Sequence, residues 1–351
     1  MTTEIYVPRS LSLSRMDKYL ASGWFRAGML IYKSEIACLE DGLWPVVNIR
    51  LVLPIYEFKK RWRKLLKQNS QQLTHKISIL KLTERHQEMY DLHKKRCRGV
   101  ITPKLHDYFY GSSWTSESVF NTYQVDVYLE NKIIATSFFD IGKHCLVSIL
   151  GLYDDEYKRY SLGNYTMLLE IEHAKSLEKK YYYPGYILKG CSLFDYKLEL
   201  GEMQYYSWQG RWRKWDKLSE EKYRTDSFLN NTKALFLELL KTNIECEEVL
   251  YVMFGIVYDD RICVNAPICI AQKNYKTKDG GFWAIEYNDL NNQYTLGICY
   301  CWDNFRYLQF TPDFKTNPRY CLQTICYENI LIQTASIQKI ITVLKDNLVL
   351  I

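Results

Sequence analysis

Histidine is scarce in this chain, with six in 351 residues and none after His173. No Cys-x-x-Cys pair accompanies them, so a zinc knuckle is excluded and no metal is expected. Neither phosphate-cradling loop is present, Gly-x-x-x-x-Gly-Lys or Gly-x-Gly-x-x-Gly, which argues against direct use of ATP or NAD. No run reaches the roughly 18 apolar residues needed to cross a bilayer, and the start, MTTEIYVPRSLSLSRMDKY, has no signal-peptide core. A cytoplasmic protein with no membrane partner is expected. Repeats and low-complexity stretches are missing too, so folded structure is expected throughout.

What the chain does have is aromatic. Thirty tyrosines and nine tryptophans stand in a composition of 47% hydrophobic and 25% charged residues, ordinary for a soluble globular protein apart from the rings. Eleven cysteines are present, and without an export signal they read as reduced thiols. Cys299 and Cys301, two apart on an expected strand, would share a face, but no histidine lies near to complete a site. Charge is uneven: residues 1–218 hold 33 Lys and Arg against 24 Asp and Glu, residues 219–351 hold 13 against 16. The basic part is the candidate for a polyanion.

Periodicity places the elements. The stretch 44-WPVVNIRLVLP-54 reads as a strand, and 56-YEFKKRWRKLLKQN-69 as an amphipathic basic helix with Phe58, Trp62, Leu65 and Leu66 on its apolar face. A helix over 83–97 opens on a Thr83 cap, and residues 122–155 alternate as successive antiparallel strands turning at Glu130-Asn131-Lys132. Ser161-Leu162-Gly163 precedes a helix that begins near Asn164, and 181-YYYPGYILKG-190 reads as a buried strand. Past Leu218 the spacing predicts helices near 227–241 and 333–345 around a hairpin in 282–302. Strands feeding one helix and then another strand predict an α+β fold with a mixed sheet, divided softly near residue 219.

The segments 15-RMDKYLASGWFRAG-28, 49-IRLVLPIYEFKKRWRKLLKQN-69, 153-YDDEYKRYSLGNYTMLLEIEHAKS-176 and 181-YYYPGYILKGCSLFDYK-197 resemble the aminoacyl-tRNA:protein transferase family, the arginyl and leucyl transferases. The resemblance spans roughly the first 215 residues. It implies a fold like the GNAT acyltransferases, as a mixed sheet with flanking helices: an N-terminal segment of about 1–70, a core of about 71–218, and a C-terminal α+β extension over 219–351. Two departures stand out. The cysteine cluster of arginyl relatives is reduced to Cys38, and Tyr183-Pro184-Gly185-Tyr186 carries a proline where the family has leucine.

The implied activity is transfer of an amino acid, arginine first and leucine as the nearest variant, from aminoacyl-tRNA to the α-amine of acceptor proteins with N-terminal Asp or Glu. No cofactor beyond the charged tRNA is implied. Candidate catalytic residues are Glu170, Tyr186 and Ser161, the serine reading first as a helix cap and only then as a group for the terminal ribose. Gly163, Asn164, Tyr165, Tyr183 and Tyr196 are candidates for holding the 3′ end of the tRNA, with Gly163 admitting close approach to a helix N-terminus. Arg26, Arg50 and Lys197 are candidates for the acidic acceptor, and Lys59, Lys60, Arg63, Lys64, Arg211 and Arg213 for tRNA phosphates. Two other readings stay open: acetyl-CoA-dependent N-acetyl transfer on the same fold, and a non-catalytic module that binds tRNA or N-termini.

Overall fold

The structure is a computed structural model that describes residues 4–39, 42–97, 100–111, 118–220, 224–242, 244–252, 267–271, 281–302, 309–310 and 315–348. The chain opens with β1 (Glu4–Tyr6), α1 (Leu13–Ala21), β2 (Phe25–Ala27) and β3 (Leu30–Lys33), and the three strands form a small antiparallel sheet. There follow β4 (Ile36–Leu39), β5 (Gly42–Val52), α2 (Lys60–Asn69), β6 (Leu73–Ile79), α3 (Glu84–Lys94), β7 (Val100–Ile101) and α4 (Leu105–Tyr110). Then come β8 (Thr122–Leu129), β9 (Lys132–Ile141), β10 (Cys145–Tyr153), α5 (Leu162–Ser176), β11 (Tyr181–Leu188), β12 (Gln204–Tyr206) and β13 (Trp212–Lys214).

The main sheet runs β13-β12-β5-β11-β10-β9-β8-β6, with β4 paired to β5 at its side. Every pairing is antiparallel except β10 with β11, which α5 connects as a crossover. The expected α+β class, a mixed sheet with flanking helices, is the one observed. Alternation along the strands sorts residues to two faces. Val47, Ile49, Leu51, Val125, Val127 and Phe139 face α5 and α2, while Phe138 and Leu152 face α3 and α4. The helix α5 is apolar nearly all round, with Leu162, Tyr165, Leu168, Leu169, Ile171 and Ala174 buried, because α2 covers the side the sheet does not. Each such aliphatic side chain contributes about 1.5–3 kcal/mol by leaving water.

The remaining elements are α6 (Arg224–Leu240), β14 (Cys246–Glu248), β15 (Leu250–Tyr251), β16 (Pro267–Ala271), β17 (Phe282–Asn288), β18 (Gln293–Trp302), β19 (Gln309–Phe310), β20 (Tyr320–Cys321), β21 (Thr324–Thr334) and α7 (Ile337–Leu348). A second sheet, β14-β16-β17-β18-β21, packs α6 and α7 around a separate core that also takes Ile36 from β4. Residues 333 and 334 finish β21 rather than opening a helix, so the last helix starts later than its apolar spacing predicts. The basic helix likewise starts at Lys60, after an extended lead-in. Among the described residues no helix is long and apolar enough to cross a membrane.

Candidate active site

The one parallel pairing of the main sheet is short. Cys145, Leu146 and Val147 pair with Tyr181, Tyr182 and Tyr183, and beyond them β10 and β11 separate although each strand continues. Irregularities make the separation: β10 shifts register between Ser148 and Leu150, and β11 between Tyr182 and Gly185. Pro184 and Gly185 sit in that second shift, and Gly185 takes φ +104, a left-handed value that suits glycine. The mouth of the gap is open, since a Cβ added at Gly151 of β10 would meet nothing within 4 Å.

Below the gap lies Glu170. Its carboxylate is fully buried and accepts hydrogen bonds from Ser137 of β9, from Ser148 of β10 at 3.2 Å and from Tyr182 of β11 at 2.7 Å. Burial raises its pKa to about 7, against the lowering effect of the three hydroxyls. One glutamate thus ties together the strands that part above it. The expectation that Glu170 faces an open site is corrected: it meets no solvent. Tyr182, absent from the sequence-based candidates, is its partner because it is the one of three successive tyrosines whose alternation turns it toward α5.

Two groups border the gap: Gly163 with Tyr153 at the start of α5, and Tyr186, Phe194 and Tyr196 around Lys197 by β11. A Cβ on Gly163 would lie 3.6 Å from the Tyr153 ring, an ordinary contact. Gly163 is in the first turn of α5, and the left-handed residue of the turn is Ser161, with φ 49 and ψ 47. The side chain of Ser161 makes no capping hydrogen bond, which corrects its reading as a cap; its backbone carbonyl receives the Tyr165 N–H at 2.9 Å. Asn164 buries an Oδ1 that meets no donor among the described residues. Tyr165 is 1% exposed and belongs to the core, so it does not reach the mouth.

Lys197 directs its ammonium at the gap. Nζ donates to the Tyr186 carbonyl at 3.1 Å and lies 4.7 Å from the Phe194 ring centre, 5.4 Å from Tyr186 and 6.0 Å from Tyr196. Loss of hydration lowers its pKa to about 8, and raises that of Tyr196 to about 12. Tyr186 also packs edge-on against Phe25 at 5.4 Å, which joins the small N-terminal sheet to the mouth.

The other candidates are placed elsewhere. Arg26 is buried in an ion pair with Asp140 at 2.5 Å, donates to Thr122 at 2.7 Å and lies over Phe120, which corrects its reading as an open acceptor site. Arg50 lies between the rings of Tyr181 and Trp212, at 3.9 and 4.2 Å, and donates to Gln204 at 2.9 Å and to Tyr183 at 3.3 Å. Tyr183 is therefore engaged with Arg50 and packed with Met16 and Leu20, away from the α5 start.

On α2, Trp62 donates its indole N–H to the Glu199 carbonyl at 3.0 Å, and Lys59 reaches the same oxygen at 3.1 Å. Lys60, Arg63 and Lys64 are exposed on the outer side of the helix, while Arg211 and Arg213 are exposed at the far end of the sheet by β13. The acidic strand end before the turn is taken up by α3 and the turn that follows it: Arg85 pairs with Asp154 and Arg96 with Asp155, both at 2.6 Å. Arg96 also stacks 4.1 Å from Tyr153 and so holds that ring at the mouth. A cleft that no motif signalled lies between Lys33, Asn48, Tyr206 and Trp208; Asn48 is the cross-strand partner of Tyr186.

A gap between two diverging parallel strands, headed by a helix N-terminus and lined with rings, is a site shape suited to acyl transfer. Residues 80–207 match the family profile described as "Arginine-tRNA-protein transferase, C terminus". Over about half its length the chain resembles the aminoacyl-tRNA:protein transferase family, as its motifs led one to expect. An "Aspartate/glutamate leucyltransferase" of Leptospira interrogans is 28% identical over 194 residues, 54% of this chain and 73% of that protein. Proteins of the same description from Campylobacter jejuni and Acinetobacter baumannii are each 24% identical, covering 52% and 55% of this chain and 76% and 69% of theirs. Among solved structures, FemX aligns at 9% identity with a TM-score of 0.31, over 52% of this chain and 63% of that one. L-PGS from Bacillus licheniformis aligns at 9% identity with a TM-score of 0.29, over 49% of each chain.

Proposed function

We propose that the protein is an aminoacyltransferase that moves an amino acid, leucine by preference, from aminoacyl-tRNA to the N-terminal α-amine of acceptors beginning with Asp or Glu. The observation that carries this reading is the gap between β10 and β11, bordered by the α5 start and by an ammonium set among aromatic rings. The α-amine of the acceptor attacks the ester carbonyl on the terminal ribose, and the ribose oxygen leaves. With a reference pKa of about 8 that amine is partly nucleophilic at neutral pH without a strong base. Holding the two substrates together supplies up to about 7–11 kcal/mol of the barrier lowering. In this reading the backbone N–H groups of Leu162, Gly163 and Asn164, which precede the first bonds of α5, receive the charge developing on the ester oxygen.

Leucine is favoured over arginine by the lining. A guanidinium wants a carboxylate, and Glu170 is already engaged by three hydroxyls beneath the gap, whereas Tyr153, Tyr186, Phe194 and Tyr196 offer apolar surface. The relatives described as aspartate/glutamate leucyltransferases point the same way. The test is transfer of label from leucyl-tRNA and arginyl-tRNA, assayed in parallel, to peptides beginning with Asp, Glu, Asn or Ala. Leucine arriving on the Asp and Glu peptides is expected. Faster transfer of arginine would overturn the donor, and no transfer from either tRNA would overturn the activity.

A further inference from the structure

We propose that the ammonium of Lys197 is the counter-ion for the side-chain carboxylate of the acceptor's first residue, and that this one contact selects Asp or Glu over their amides. The identity of the acceptor rests on the transferase reading above. The buried and half-buried arginines already have partners. Arg26 has Asp140, Arg85 has Asp154 and Arg96 has Asp155. Arg50 has its guanidinium against two rings and donates to two neutral acceptors. For Lys197, no carboxylate among the described residues comes within pairing distance, and its one acceptor is the Tyr186 carbonyl.

An ammonium partly withdrawn from water without an acidic partner is costly, and a group of this kind beside a gap is a candidate for meeting an anion from outside. The low pKa of Lys197, about 8, is the trace of that cost. The surroundings are built for the charge. A Cβ at residue 185 would stand 3.1 Å from Nζ, so the glycine leaves the ammonium its room. Three rings hold it from the sides by their negative faces. With one N–H on the Tyr186 carbonyl, two remain, the number that the two oxygens of a carboxylate can accept. A phosphate group suits the several N–H groups of a helix start better than a single enclosed ammonium.

The experiment measures binding, so that it stands apart from catalysis. Pentapeptides that begin with Asp, Asn, Glu or Gln, and are otherwise identical, are titrated against the wild-type chain, Lys197→Met and Lys197→Arg in the presence of uncharged tRNA. The wild type is expected to prefer Asp to Asn and Glu to Gln by about 10- to 100-fold, the range of a charge-assisted hydrogen bond. Lys197→Met should bring both ratios close to one, and Lys197→Arg should keep part of them. Equal binding of Asp and Asn peptides by the wild type overturns the proposal without any variant having to fold. So does a Lys197→Met chain that keeps the preference, or one whose chief loss is affinity for tRNA. A wild type that discriminates as expected yet transfers no amino acid leaves Lys197 as the acid-reading group and removes the transferase reading instead.

Discussion

At the scale of single residues the most constrained group is Glu170, whose two carboxylate oxygens serve three strands. Its pKa in the folded chain, about 7, lies above the unfolded value of 4.5, so between those limits the folded state holds a proton that the unfolded state has lost. Its contribution to stability is therefore greatest below pH 4.5 and falls as pH rises toward 7, by about 3 kcal/mol for a shift of this size. Asp126 and Asp154 act in the opposite sense, because their partners lower their pKa values and their contribution is lost as pH falls. Glu170→Gln cannot ionise and keeps the shape. Urea unfolding at intervals from pH 5 to 8 should show a shallower decline for Glu170→Gln than for the wild type, and parallel curves would mean that Glu170 does not titrate in this range.

At the scale of elements, the start of α5 separates backbone need from ligand need. Because Gly163 has a helical backbone and a Cβ there would meet Tyr153 at 3.6 Å, Gly163→Ala should fold at least as stably as the wild type, with a gain of about 0.5–1 kcal/mol from the usual helix preference. Thermal melts check this, and a loss of more than 1 kcal/mol would show that the turn itself needs the glycine. The strand β11 shows what sequence alone conveys and what it hides. Its existence was legible in YYYPGYIL, but simple alternation puts Tyr183 and Tyr186, three apart, on opposite faces. The register shift at Pro184-Gly185 inserts a residue, so Tyr186 comes opposite Asn48 while Tyr183 meets Arg50, and both lie on the face away from α5. Likewise the spacing of Glu170 and Glu172 showed that only one could face inward, while the three hydroxyls that hold it come from strands 12 to 33 residues away in sequence, a distance no local pattern crosses. Phe194 and Tyr153 joined the site for the same reason: the folded sheet, not their spacing, brings them to the mouth.

At the scale of the whole molecule, part of the excess of basic residues in the first 218 positions is displayed where α2 turns outward. The helix is fixed by Trp62 and by Leu65 and Leu66 against the core, which leaves Lys60, Arg63 and Lys64 in solvent. Replacing those three by glutamate should weaken tRNA binding and reduce the slope of log affinity against log salt by about two to three, with peptide binding unaffected. Binding titrations over a range of salt concentrations read both numbers, and an unchanged slope would place the tRNA on another face. The main sheet ends at β6 on one side and β13 on the other, but the parting of β10 and β11 after Val147 and Tyr183 gives it a third border, set in its interior. A border at the rim invites any passing strand; one set inside the sheet is reached along a single line. Under the proposed transfer, such a slot would receive the beginning of a polypeptide rather than its middle, before any side chain of the acceptor is read.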